Sequence, residues 1–163
     1  MKIRTYGDPV LRRVAAPVER IDDEVRETCK RMVEAMIRAN GAGLAAPQIG
    51  VSQRIIVTDV RGELHVLVNP ELVELSDEVM EGPEGCLSVP GVEATVMRKA
   101  RVRVRGTGLE GEKVEVEGEG YLARALQHEI DHLNGVLFVD YLTPARRQSL
   151  LKEYSRHERE KVA

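Results

Sequence analysis

The sequence predicts a fold that mixes α-helices with hairpin-connected β-strands. Three observations carry that prediction. Apolar residues recur at helical spacing at Val25, Cys29, Met32 and Met36, and again at Leu122, Ala125, Leu126, Ile130 and Leu133. Elsewhere they alternate with charged residues, as at Val102 and Val104 or at Val114 and Val116. Turn residues separate these stretches, and no internal repeat or low-complexity segment breaks the pattern. Residues 1–163 are therefore expected to form one domain.

The elements follow in order. Ile3 to Val18 is broken by Gly7-Asp8-Pro9 and by Pro17, and reads as an extended, turn-containing arm. A helix follows, capped by Asp22 or Asp23, with Glu24 in its first turn and Asn40-Gly41 as its stop. Cys29 lies on its apolar face and reads as a small core residue. An apolar, glycine-bearing loop from Gly41 to Gly50 leads into two strands, Arg54 to Val60 and Leu64 to Val68, around a turn at Arg61-Gly62. Leu72 to Leu75 would extend that sheet. Gly82-Pro83-Glu84-Gly85 interrupts the strand pattern just before Cys86. Strand character resumes from Ala94 to Arg105, and Gly106 to Gly111 turns the chain toward Val114 and Val116. Arg and Glu side chains on the outer faces of these two strands can pair, although exposed pairs contribute little. A second helix is expected from about Glu119 to Leu133, ended by Asn134-Gly135. A third begins at Thr143-Pro144, with Thr as cap and Pro at the first helical position. Its residues Arg146, Arg147, Lys152, Arg156, Arg159 and Lys161 read as a solvated basic face.

Composition excludes several functions. Charged residues make up 31% of the chain and hydrophobic ones 42%, the balance of a soluble globular protein. No apolar run approaches the roughly 18 residues of a membrane span. No apolar stretch follows the first residues as a secretory signal would. A net charge of −3 argues against binding DNA, which requires a basic footprint. With aromatic residues at 3% and no Trp, a base-stacking platform is not expected. Cys29 and Cys86 are too few for a disulfide scaffold, and a reducing cytoplasm is the expected compartment.

The strongest chemical signal is His128-Glu129-Ile130-Asp131-His132 within a helical pattern. Two His four residues apart stand one turn apart on one side of a helix and can reach a common cation. Glu129, on the same turn, can address a water on that cation. A catalytic site needs a third protein ligand and an open position. A His-x-x-Gly-x-x-His continuation would place the third His where this chain has Phe138, which cannot ligate. Glu153 has suitable spacing but lies in a run of Lys, Arg and Glu that reads as surface. Cys86, flanked by Gly85 and followed by Pro90, is the third option, since a thiolate binds a borderline-soft metal well. A zinc endopeptidase and a structural metal site in a binding module remain as competing readings. The second requires a fourth protein ligand, and His65 and His157 read as strand and surface residues.

The glycine loop has the letters of a dinucleotide-binding fingerprint at Gly41, Gly43 and Ala46 but the wrong context. A helix precedes it and a strand follows, the reverse of what that motif requires. It reads better as backbone that approaches something closely. Gln48, its polar side chain, could donate to a developing oxyanion.

Three segments now stand in order: Gly43-Leu44-Ala45-Ala46-Pro47-Gln48, Glu84-Gly85-Cys86-Leu87-Ser88 and Gln127-His128-Glu129-Ile130-Asp131-His132. Together they resemble the peptide deformylases, which remove the formyl group from the N-terminal methionine of new polypeptides. The resemblance extends to Gly7-Asp8-Pro9-Val10-Leu11 and Gly135-Val136-Leu137-Phe138, and so covers nearly the whole chain. It implies an α+β fold, with a partly open antiparallel sheet around the helix that carries the His-Glu-x-x-His motif. It implies one divalent metal per chain, Fe2+ in the cell and replaceable by Zn2+, Ni2+ or Co2+, with Cys86, His128 and His132 as ligands. Glu129 would be the general base and acid, and Gln48 and the Leu87 N–H the oxyanion donors. Gly43 and Gly85 match positions whose backbone pairs with the substrate. Ala42, Tyr121 and Ala125 match positions near the methionine pocket, and Arg98 one near the bound peptide. Two departures stand out: family members often carry a larger aliphatic residue at position 42, and many read Pro-Arg where this chain has Met97-Arg98. N-formylmethionyl nascent peptides are the implied substrates, and the basic C-terminal helix offers a surface for transient contact with the ribosome.

Overall fold

The structure, a computed structural model, describes residues 2–162. In chain order its elements are α1 (Asp23–Arg38), β1 (Gly43–Ala45), β2 (Ile55–Val60), β3 (Glu63–Leu75), β4 (Val79–Cys86), β5 (Val89–Lys99), β6 (Arg101–Thr107), β7 (Lys113–Glu119), α2 (Tyr121–Leu133) and α3 (Pro144–Val162). Strands β1-β2-β3-β6-β7 form one antiparallel sheet in that order, and β4 pairs with β5 in a second. This is an α+β arrangement, as expected.

Helix α1 starts where Asp22, in extended conformation, accepts a hydrogen bond from the Val25 N–H at 3.0 Å. Its buried stripe of Val25, Cys29, Met32 and Met36 packs on Leu44, Ile55, Val57 and Val68. The opposite face of the sheet, reached by Ile56, Leu67, Val104 and Val116, receives Ala123, Leu126, Ile130 and Leu133 of α2. Alternation along β2 thus separates two cores, and α2 is buried along almost its whole length. Helix α3, capped by Thr143 as expected, lays Leu150 and Tyr154 on Val89, Val92 and Val96 of β5. No helix among the described residues is long and apolar enough to cross a membrane.

The hairpin turn at Arg61-Gly62 forms as read, with both residues at positive φ. Across β6 and β7, Arg103 faces Glu117 and Arg105 faces Glu115. The turn expected in the N-terminal arm is a 3-10 turn at Pro9–Arg12 capped by Asp8. Two readings are corrected. Gly82 to Gly85 lies inside β4; with β5 as its only partner among the described residues, β4 is an edge strand, where Pro is tolerated. The stretch Ala94 to Arg105 is two strands, broken at Ala100, because β5 belongs to one sheet and β6 to the other.

Candidate metal centre

Three side chains from two distant segments converge on one point. Helix α2 supplies His128 and His132, whose Nε2 atoms lie 3.3 Å apart. Cys86, the last residue of β4, brings its Sγ to 3.4 Å from His132 Nε2. The three donor atoms lie within 4.8 Å of one another. Two nitrogens held at about 2.0–2.1 Å from a tetrahedral centre stand about 3.3 Å apart, and a nitrogen and a sulfur at about 2.3 Å stand about 3.6 Å apart. The observed spacings match this, so the donor set fits one four-coordinate metal ion with a position left open.

Hydrogen bonds orient the donors. Glu84 Oε2 lies 2.6 Å from His128 Nδ1, so that nitrogen carries the proton and Nε2 offers its lone pair to the centre. Cys86 Sγ accepts from the Ser88 N–H at 3.4 Å and from Gln48 Nε2 at 3.7 Å. Gln48 is buried in the turn after β1. Its oxygen accepts from the Ala45 N–H, which turns the amide nitrogen toward Ser88 Oγ and the sulfur. Phe138 stacks on the His128 ring within the core, a packing role in place of ligation. Glu153 is exposed on α3 beside His157, away from the centre.

Glu129 is buried, and its Oε1 has no hydrogen-bond partner among the described residues. Burial pushes its pKa up to about 7, into the range a general base requires. A Cβ at Gly43 would fall 2.5 Å from Glu129 Oε2, so only glycine lets this carboxyl reach the cavity. Burial lowers the pKa of His132 well below its ordinary value and keeps the ring neutral. Burial also opposes charge on His128, but Glu129, Cys86 and Glu84 around it outweigh that and raise its pKa.

A cavity of about 550 Å³ opens onto this centre. It is lined by Ala42, Gly43, Gln48, Gly85, Cys86, Leu87, Tyr121, Ala125, His128 and Glu129, so it gathers most of the residues picked from the sequence. His132 lies deeper, almost fully enclosed. Arg98 is the exception. Its side chain is buried and turned inward, donating to Glu84 at 3.0 and 2.5 Å and to Asp131 at 2.6 Å. Its charge is thus spent on two carboxylates, and it does not line the cavity.

Sequence reasoning missed the network behind the ligands. Glu84 also accepts from Arg124 Nη1 at 2.9 Å. Asp131 accepts from Tyr141 Oη at 2.7 Å, and the Tyr141 ring lies over the Arg98 guanidinium. The signal was present: Arg124 and Asp131 stand at i−4 and i+3 from His128, on the same side of the helix as that ligand. Burial disfavours the Glu84 charge, yet the hydrogen bonds and charges of His128 and Arg98 hold its pKa well below the usual carboxylate range.

The comparisons agree with this architecture. The family model described as polypeptide deformylase matches residues 1–148. A peptide deformylase of Thermotoga maritima is 47% identical over 152 residues, covering 93% of each chain. One from Natranaerobius thermophilus is 46% identical over 157 residues, covering 96% of this chain and 97% of that one. The crystal structure of a peptide deformylase from Legionella pneumophila superposes with a TM-score of 0.95 at 44% identity, covering 99% and 96% of the two chains. With its fold and nearly its full length matched, the chain belongs to the polypeptide deformylase family.

Proposed function

We propose that Cys86, His128 and His132 hold one ferrous ion and that Glu129 moves the protons of deformylation. The reaction itself, metal-dependent removal of the N-formyl group from nascent polypeptides, is that of the family. The observation that carries the assignment of roles is the buried Glu129 carboxyl beside three converging donors at the floor of an open cavity. Zn2+, Ni2+ or Co2+ would suit the same soft and borderline donors. When bound, such a cation supplies Lewis acidity that lowers the pKa of water toward neutrality.

The side chains do the rest. Glu129 accepts the proton of the attacking water as the formyl carbon becomes tetrahedral. Gln48 Nε2 and the Leu87 N–H donate to the new oxyanion, each donor contributing roughly 3 kcal/mol to lowering the barrier. Glu129 then passes its proton to the departing methionine amine, leaving formate and a free N-terminus. Gly43 and Gly85 stand at the free edges of β1 and β4, where an extended peptide can pair with backbone. Ala42, Tyr121 and Ala125 would then border the methionine side chain. Glu129→Gln is the test. It should retain metal by elemental analysis and lose about 10²- to 10⁴-fold in formate release. Normal turnover in that variant overturns the assignment.

Nascent chains as substrate place the enzyme in the cytoplasm, near ribosomes. The face of α3 opposite Leu150 and Tyr154 presents Lys152, Arg156 and Arg159 to solvent, and this is the surface we assign to ribosome contact. Removing the helix would strip Leu150 and Tyr154 from the core, so charge reversal is the cleaner probe. Lys152→Glu with Arg156→Glu should reduce co-sedimentation with ribosomes while formate release persists; unchanged co-sedimentation removes the idea.

A further inference from the structure

The cleft carries one charge that its chemistry does not use. Its exposed lining residues are Asn40, Pro83, Gly85, Gly91, Glu93 and Tyr121, and Glu93 alone among them has a charged side chain. The remaining charged groups of the lining, Glu84, Arg124, His128 and Glu129, are buried. Glu93 lies on β5 directly opposite Gly85 of β4. A Cβ built on Gly85 would lie 3.8 Å from Glu93 Cβ, so the two positions share a face. Gly85 leaves that face bare between Glu93 and the free edge of β4.

A peptide strand on that edge would run two strands from β5, about 9.6 Å away. Two long side chains reaching over the bare glycine close that gap. Successive residues of a strand point to opposite faces. With the methionine side chain turned inward toward Ala125, the side chain of residue 2 turns outward, onto the face of Gly85 and Glu93. Formylation removes the charge of the peptide's α-amine. The first peptide charge that Glu93 meets therefore belongs to residue 2 or beyond.

We infer that Glu93 is a specificity-determining residue that reads charge at residue 2 of the formylated peptide, favouring Lys or Arg over Asp or Glu. This rests on the deformylation reading above. The test measures kcat/KM of the metal-loaded full chain on formyl-Met-Lys-Ser, formyl-Met-Ala-Ser and formyl-Met-Glu-Ser. The Lys peptide should exceed the Glu peptide by roughly three- to tenfold at low ionic strength, mainly through KM. Added salt should shrink that ratio. Glu93→Gln should bring it near one, and Glu93→Lys should reverse it. Calorimetric binding of the same peptides to the Glu129→Gln variant should keep the wild-type order without turnover. Cleavage of the Ala peptide with a Lys-to-Glu ratio near one, a ratio unmoved in both Glu93 variants, or equal affinities overturns the role of Glu93. Failure to release formate from all three peptides overturns deformylation instead.

Discussion

Replacing Glu84 by Gln tests the network behind the ligands. The carboxylate accepts four hydrogen bonds, on Oε1 from Arg98 Nε and Arg124 Nη1, and on Oε2 from Arg98 Nη2 and His128 Nδ1. Gln keeps the shape but presents one oxygen and one NH2. Whichever way the amide turns, two of the four donors face another donor. Each charge-assisted bond is worth about 1.5–3 kcal/mol. Breaking a buried pair costs about 3–5 kcal/mol. Arg98 keeps Asp131 and Arg124 keeps the Val96 carbonyl, which tempers the loss. A destabilisation of about 4 kcal/mol follows, or roughly 8–16 °C in Tm for a chain of this size. His128 loses its orienting carboxylate as well, and metal affinity should fall about 10- to 100-fold. Urea unfolding gives the first figure and chelator competition the second. Glu74→Gln is the control, since Glu74 pairs with Arg103 on the exposed face of the sheet, where such pairs contribute under about 1 kcal/mol. If Glu84→Gln cost no more than Glu74→Gln and bound metal as tightly as the parent, the positioning argument would be wrong.

Two further outcomes follow from Glu129. Gly43→Ala should displace its carboxyl, because the new Cβ would overlap Oε2; formate release should drop about 100-fold with metal content retained, and a drop of only a few-fold would refute the steric argument. In the metal-free protein, burial raises the Glu129 pKa from 4.5 to about 7, so the folded state holds that proton more tightly than the unfolded chain. Its stabilising effect is complete below pH 4.5 and is lost as pH rises to about 7, with a ceiling of about 3 kcal/mol. Glu129 is also the leading cause of the raised His128 pKa, so the difference between the parent and Glu129→Gln reports the coupled pair. Parallel urea stabilities of the two proteins from pH 5 to pH 8 would refute it.

What could be read from the chain was local, and what escaped was long-range. Helices α1 and α2 were legible because a 3.6-residue period survives in the apolar residues themselves. The His pair was legible because both ligands sit on one helical turn. Gly82 to Gly85 misled because Gly and Pro mark turns, whereas here they occupy an edge strand. The break at Ala100 has no turn residue to announce it. It arises because β5 pairs with β4 while β6 pairs with β3, and the Ala100 N–H bonds the Glu78 carbonyl at the crossing. Arg98 was the least legible, since only the resemblance gave it a role and its partners Glu84 and Asp131 lie 14 and 33 residues away. Its burial follows only once β4, β5 and α2 have come together.

The buried charges show why that network sits where it does. Arg98 and Arg124 are matched by Glu84 and Asp131, two cations to two anions, all held by hydrogen bonds. The set is neutral and closed, so it attracts no further ion. Cys86 and Glu129 remain outside it, two acidic groups beside two imidazoles in a poorly solvated pocket. The three soft and borderline donors, Cys86, His128 and His132, therefore suit one metal ion by donor type. The arginine pair neutralises Glu84, leaving its carboxylate free to orient His128 without becoming a ligand itself. Were Arg98 and Arg124 apolar, Glu84 would keep only its bond to His128, and its buried charge would lose both guanidinium partners.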